Sequence, residues 1–377
     1  MKILLTVEFY EPHKGGAQEV VKQLAERLAG HGHDVSVATT YLPDRKNFLL
    51  NGVKIIDFKI SGNTVRGYQA TAAEISRYQK VLSNSGWNTI INYAAQVWTT
   101  DLMFPILDQL KTRKILVPCG YSGLNNPTYA DYFKKLPASL AQYDKLVYLS
   151  ENYQDRLFGI KHGFADKAVI IPNGAATEEF LGPPTNDIKK ELAITTPYLL
   201  ITVATHHRDK GHSFVIEAFK RLNRSDSTLL IIGENPGTSW LQRLRHFFTG
   251  CYKTCWYNSL INPRIKLLGG SDRKRVVSAY KQADLFLLGS KVECAPLVMY
   301  ESFAAGVPFI STKVGNVPDY PRLVSLINTP HEMAAVTNNL LNDREKRKDI
   351  RSESVTLWQD QYTWDTITEQ YESIIGN

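Results

Sequence analysis

Two carboxylates, Glu293 and Glu301, flank an apolar run in the stretch ECAPLVMYESFAAGVPFIST, residues 293–312. Pro296 suits the first turn of a helix running through Leu297, Val298, Glu301, Phe303 and Ala304. Glu293 then sits at the mouth of that helix, and Glu301 lies on its body, one to two turns in, facing the same cleft. The free N–H groups of Leu297 and Val298, at the positive end of the helix dipole, offer a place for a phosphate. Gly306-Val307-Pro308 ends the helix and leads into a strand. A helix that only packs is the alternative, and it leaves two acids in a small-residue, apolar setting unexplained.

Other residues extend this chemistry. Lys210-Gly211 follows an apolar strand pattern, Tyr198–Val203, and precedes the helical run Phe214, Val215, Ile216, Ala218, Phe219 and Leu222. A lysine there either reaches an anion in the cleft or is a solvated loop residue. Gly15-Gly16, between a strand and a helix start, either lets a ligand approach backbone N–H groups or makes a tight turn. The three-glycine dinucleotide fingerprint is absent, which disfavours a nicotinamide enzyme. No Asp-x-Asp pair occurs, and His206-His207 reads as two polar loop residues rather than a metal site. Cys251 and Cys255 lack a second pair to complete a zinc site, so no metal is expected.

Positioning these groups requires alternating strands and helices. In the first half, apolar runs at Ile3–Val7, Val35–Thr39, Ile55–Ile60, Thr89–Asn92, Ile115–Val117, Lys145–Leu149 and Ala168–Ile171 read as strands. After a turn-rich segment from Pro172 to Pro184, a second series follows at Tyr198–Val203, Leu229–Ile232, Ile265–Leu268, Leu285–Leu288 and Pro308–Ser311. The pattern predicts an α/β protein of two doubly wound halves with parallel sheets, residues 1–180 and 190–355, facing a central cleft beyond the carboxyl ends of the strands.

At 377 residues the chain is long enough for two such domains. Its net charge of +7 is spread over both halves, so neither half is a basic nucleic-acid-binding module. The apolar run near Met1 is too short for a signal peptide or membrane span, no later segment spans a bilayer, and four cysteines do not make a disulfide framework. A cytoplasmic protein is expected. The stretch 238–260 is unusual: Trp240, Leu244, Phe247 or Phe248, and Cys251 recur at helical spacing, against Gln242, Arg243, Arg245, His246 and Thr249. Such a face either lies peripherally on a membrane with anionic headgroups or packs as an insertion on its own domain.

The run Glu293-x7-Glu301 with Ala304-Ala305-Gly306-Val307-Pro308 resembles the signature of the retaining glycosyltransferases of family four (glycosyl transferases group 1), which have the GT-B fold of two Rossmann-like domains. Supporting stretches are EFYEPHKGGAQEVV at 8–21, YDKLVYLSENYQDRL at 143–157, VIIPNGAATEEF at 169–180, DKGHSFVIEAF at 209–219, YKQADLFLLGS at 280–290 and TKVGNVPDY at 312–320. The ending YTWDTITEQYESI, within about residues 360–377, resembles the family's closing helix, which crosses back to the first domain.

The resemblance implies transfer of a hexose or N-acetylhexosamine from a nucleotide diphosphate sugar, with UDP favoured and GDP-mannose next, to a glycan or lipid-linked acceptor. Glu301 would bind the ribose, and Glu293 the hydroxyls of the transferred sugar. Backbone around Ala295, Pro296, Leu297 and Val298 would hold sugar and phosphate, with Lys210 on the diphosphate and Gly15-Gly16 closing from the other domain. A lysine and helix N–H groups can stabilise the departing diphosphate without a metal or cofactor, and retention would follow from same-face attack. Thr205 stands where the family usually has an arginine, which leaves Arg208 to substitute or Lys210 to act alone. Cys119 stands where the family has a histidine, with Tyr121 and Ser122 as neighbouring acceptor-side candidates. These departures motivate two other readings: a non-catalytic nucleotide-sugar-binding partner and a GT-B-like epimerase.

Overall fold

A computed structural model describes residues 1–84, 86–234, 247, 251–269 and 272–376. The chain divides into two compact units, Met1–Asn173 with Trp364–Asn377, and Gly174–Thr363.

The first unit contains strands β1 (Lys2–Thr6), β2 (Asp34–Thr40), β3 (Leu49–Leu50), β4 (Val53–Phe58), β5 (Ser61–Asn63), β6 (Gly67–Gln69), β7 (Thr89–Tyr93), β8 (Arg113–Val117), β9 (Lys145–Tyr148) and β10 (Ala168–Ile170). Eight of them form one sheet in the order β10-β9-β8-β7-β1-β2-β4-β3, parallel except for the short edge strand β3. The order runs outward in both directions from β1 and β7, so the winding reverses between them. Strands β5 and β6 make a separate two-stranded hairpin that no apolar run announces. The helix Trp364–Ile375 belongs to this unit: Asp365 Oδ1 meets Arg27 Nε of the helix Gly16–Gly30 at 2.8 Å, and Arg113 Nε donates to the Ile374 carbonyl at 2.7 Å.

The second unit adds β11 (Tyr198–Val203), β12 (Ser227–Ile232), β13 (Ile265–Leu268), β14 (Leu285–Leu288), β15 (Phe309–Thr312) and β16 (Val324–Ile327). They form a fully parallel sheet in the order β13-β12-β11-β14-β15-β16. Counted within the unit this is 3-2-1-4-5-6, the order of dinucleotide-binding sheets, and its winding reverses between β11 and β14. Helices cover both faces, so the inner strands are apolar throughout: every residue of β12 and β14 is buried. Strand β16 is absent from the sequence expectation: its four residues, Val324-Ser325-Leu326-Ile327, are interrupted by a polar serine, so no continuous apolar run marks it. Trp358 Nε1 donates to the Ala175 carbonyl at 3.1 Å and Ala175 bridges to Thr363, so the two ends of this unit are tied together.

Candidate active site

The reversal between β11 and β14 fixes where the second unit can hold a ligand, because the loops leaving neighbouring strands there part in opposite directions. Those loops run from Ala204 to Gly211 and from Gly289 to Pro296. They touch through glycine: Gly211 adopts a left-handed φ of 69°, and a Cβ on it would lie 1.8 Å from the Gly289 carbonyl oxygen. Lys291 N donates to the Asp209 carbonyl at 2.7 Å and continues the seam. Lys210 and Glu293 are thereby joined, Nζ to Oε1 at 2.8 Å, with both side chains only partly exposed. The sequence expectation placed both in one cleft, and the fold makes each the other's counter-ion.

The helix Leu297–Ala305 starts at the end of the second loop, with Pro296 at the N-cap, one residue before the position expected for it. No side chain caps this helix start among the described residues, so the first-turn amides of Leu297 and Val298 are supplied by no protein side chain. Ala295, in the loop just before the helix, is buried. Glu301 lies on the helix body, only 6% exposed, and it does not stand alone: Arg273 Nη1 is 2.7 Å from its Oε1. Arg273 also grips Glu179 with two nitrogens, at 2.9 and 2.5 Å. Burial opposes the Arg273 charge, but Glu301 and Glu179 outweigh it and hold the guanidinium pKa well above its ordinary value. Sequence reasoning missed Arg273. Its only signal is a place shortly after β13, at the start of the helix Arg273–Gln282.

A concavity of about 810 Å³ opens beside these loops, at the carboxyl ends of β14, β15 and β16. Arg208, Lys253, Lys291 and Lys313 line it, so it favours anions. Arg208 is exposed in a short turn with Lys210, and Thr205 is exposed at the start of the same loop.

The remaining candidates lie in the first unit. Gly15 is extended, at φ 179°, and precedes the helix Gly16–Gly30; a Cβ on Gly16 would meet nothing within 4 Å. Neither glycine has a left-handed φ, so the tight-turn reading is not what requires them. Cys119, Gly120 and Tyr121 follow β8 with φ of 57°, 103° and 47°, three consecutive left-handed residues. The loop is held by Asp155, which accepts from Gly120 N at 2.9 Å, and by Gln154, which donates to the Gly120 and Tyr121 carbonyls at 2.7 and 3.0 Å. Ser122 is exposed. Tyr121 corrects its expected role: it is 1% exposed, with its ring edge-on to Phe133 and Phe158, and it serves the core rather than an acceptor.

A second correction concerns the histidines and cysteines set aside in the sequence. His206 is buried rather than a polar loop residue, and it stands with His212 beside Cys251 and Cys255, all four buried. The four donor atoms lie within 4.8 Å of one another. Cys251 is thereby turned inward rather than toward a membrane. Residues 238–246 and 248–250 of the proposed amphipathic face lie outside the described residues, while Trp256, Tyr257, Leu260 and Ile261 of the following helix, Tyr252–Ile261, are exposed. No helix among the described residues is long and apolar enough to cross a membrane.

Residues 184–355 match the family model described as glycosyl transferases group 1. The chain is 23% identical to N-acetyl-alpha-D-glucosaminyl L-malate synthase of Bacillus anthracis, over 99% of this chain and 97% of that protein. Among solved structures, it resembles a sucrose-phosphate synthase from Thermosynechococcus elongatus, with a TM-score of 0.78 at 15% identity over 99% and 98% of the two chains. It also resembles Anabaena Alr3699/HepE in complex with UDP-glucose, with a TM-score of 0.75 at 15% identity over 100% and 99%. The uncapped helix, Glu293, Glu301 and the lysine at the reversal point thus lie within a segment, residues 184–355, that carries the group 1 glycosyl transferase domain, and the chain has the GT-B fold of two Rossmann-like units.

Proposed function

We propose that this glycosyltransferase moves a hexose or N-acetylhexosamine from a UDP-sugar, with GDP-mannose the next candidate donor, to a glycan or lipid-linked acceptor in polysaccharide or glycoconjugate synthesis, with retention at the anomeric carbon. The observation that carries this reading is the Lys210–Glu293 pair beside the uncapped start of the helix Leu297–Ala305. When a donor enters, Lys210 exchanges its carboxylate partner for the diphosphate, and Leu297 and Val298 N–H groups take phosphate oxygens. Glu293, released, accepts from hydroxyls of the transferred sugar. Glu301, steadied by Arg273, accepts from the ribose hydroxyls. As the glycosidic bond breaks, charge grows on the diphosphate, and Lys210 with the helix amides stabilises it in place. The acceptor hydroxyl then attacks the oxocarbenium-like carbon from the face the diphosphate leaves, and its proton passes to the departing diphosphate oxygen as the new glycosidic bond forms.

The relatives agree in kind: one is named for N-acetylglucosaminyl transfer, and a structural neighbour was solved with UDP-glucose. A donor-by-acceptor screen with mass detection of products and assignment of the anomeric configuration tests the reading. Thermal stabilisation by UDP and transfer from a UDP-sugar support it. Tight donor binding without transfer or hydrolysis would instead favour the non-catalytic reading, and an epimerised sugar nucleotide the epimerase. Because Lys210 and the amides supply the charge, the rate should not respond to added Mg²⁺ or Mn²⁺. A cytoplasmic protein held peripherally on membranes should co-sediment with anionic vesicles at low salt and be released at high salt.

A further inference from the structure

His206, His212, Cys251 and Cys255 are 3%, 1%, 6% and 0% exposed, and no catalytic role draws on them. Their arrangement is built by two turns. His206 and His212 stand at the two ends of the loop that closes through Gly211, and His212 is the first residue of the helix His212–Arg221. Cys251 is the N-cap of the helix Tyr252–Ile261, and Cys255, four residues on, presents its side chain on the same face. The result is an H-x5-H pair facing a C-x3-C pair, spacings within the range of Cys2His2 zinc sites, with the pairs in the reverse order along the chain.

The distances suit a metal. Tetrahedral zinc with Zn–S of about 2.3 Å and Zn–N of about 2.0 Å separates its sulfur and nitrogen ligands by about 3.5 Å. Cys251 Sγ lies 3.2 Å from His212 Nδ1 and 3.7 Å from His206 Nδ1. Hydrogen bonding alone serves this cluster poorly, since two imidazoles converge on one sulfur, a weak acceptor, and His212 Nε2 has no partner among the described residues. Charge balances as well: Zn²⁺ binding the two thiols releases two protons to solvent, and two thiolates with two neutral imidazoles leave the buried centre with no net charge.

We propose that these four residues bind one structural zinc ion that clamps the Lys210 loop to the helix Tyr252–Ile261. Four protein ligands leave no open position, so the ion does not touch substrate. It fixes both ends of the segment carrying Arg208 and Lys210, and its existence does not depend on which sugar is transferred.

The test begins with the unmodified chain, expressed with zinc in the medium and purified without chelator. Elemental analysis should find about one zinc per chain, and zinc X-ray absorption should show about two sulfurs near 2.3 Å and two nitrogens near 2.0 Å. Chelation should lower the melting temperature, and Zn²⁺ but not Mg²⁺ should restore it. Cys251→Ser with Cys255→Ser should bring zinc below about a tenth of an atom per chain, while Cys119→Ser with Cys294→Ser keeps it. Should the first double variant fail to fold, the unmodified chain still decides. Metal well below one per chain after zinc supplementation, absorption without sulfur neighbours, or a Cys251–Cys255 disulfide would each overturn the proposal.

Discussion

Lys210 and Glu293 neutralise each other at 2.8 Å, so each substitution at the pair also frees the partner. Lys210→Ala should lower kcat by about 100-fold, corresponding to about 3 kcal/mol of lost leaving-group stabilisation. Glu293→Ala should chiefly lower kcat, whereas Glu301→Ala should chiefly raise the KM for donor. Arg273 adds a distinction that the sequence alone could not supply. Arg273→Ala leaves Glu301 and Glu179 facing each other without a cation and should raise the donor KM at least as much as Glu301→Ala. Steady-state kinetics with varied donor check all four. Equal effects of Glu293→Ala and Glu301→Ala on KM alone would reject the division of roles.

At the scale of elements, two glycines make opposite predictions. Gly211 is left-handed and within reach of the Gly289 backbone, so an added methyl must push the Lys210 loop away from the Glu293 loop. Gly211→Ala should destabilise the chain by about 2 kcal/mol or more and lower kcat, because Lys210 moves with its loop. Gly16 sits at the start of a helix with open space around it. Gly16→Ala should leave the melting temperature nearly unchanged, since alanine is the better helix former, while raising the donor KM if backbone there approaches phosphate. Thermal unfolding and kinetics on the two variants separate a glycine required by the fold from one kept for a ligand.

For the molecule as a whole, buried acids set how stability depends on pH. Asp155 is fully buried, and burial pushes its carboxyl up to about 6 despite the backbone donors at Gly120 and Arg156. Asp101, 3% exposed, is likewise pushed up to about 6 by burial, against its bonds from Thr64 and Tyr132. Folded values above the ordinary value of about 3.9 mean that the folded chain holds these protons more tightly. Their contribution is therefore fully present below about pH 4 and is lost as pH rises through about 6. Asp155→Asn keeps an acceptor for Gly120 and removes the titration. Its stability relative to the unmodified chain should rise by about 2 kcal/mol between pH 4 and 7, measured by urea unfolding at several pH values.

The sequence by itself determined the two series of parallel strands, because strands covered on both faces must be apolar throughout, and LFLL at 285–288 can hardly be read otherwise. It also determined the helix after Pro296 and the loop places of Lys210 and Glu293, since glycine, proline and apolar periodicity act over a few residues. The shortest strands escaped it: β3, β5 and β6 have two or three residues each, too few for burial to impose a pattern, and β16 is four residues interrupted by Ser325. Tertiary structure alone decided which charges meet. Arg273 reaches Glu301 from 28 positions away, Tyr121 is withdrawn into an aromatic cluster, and two histidines find two cysteines some forty residues on. Local pattern fixes which face of an element is buried; which polar groups share that burial depends on strand order and on how closely two loops can approach, and neither is written in any window of the chain.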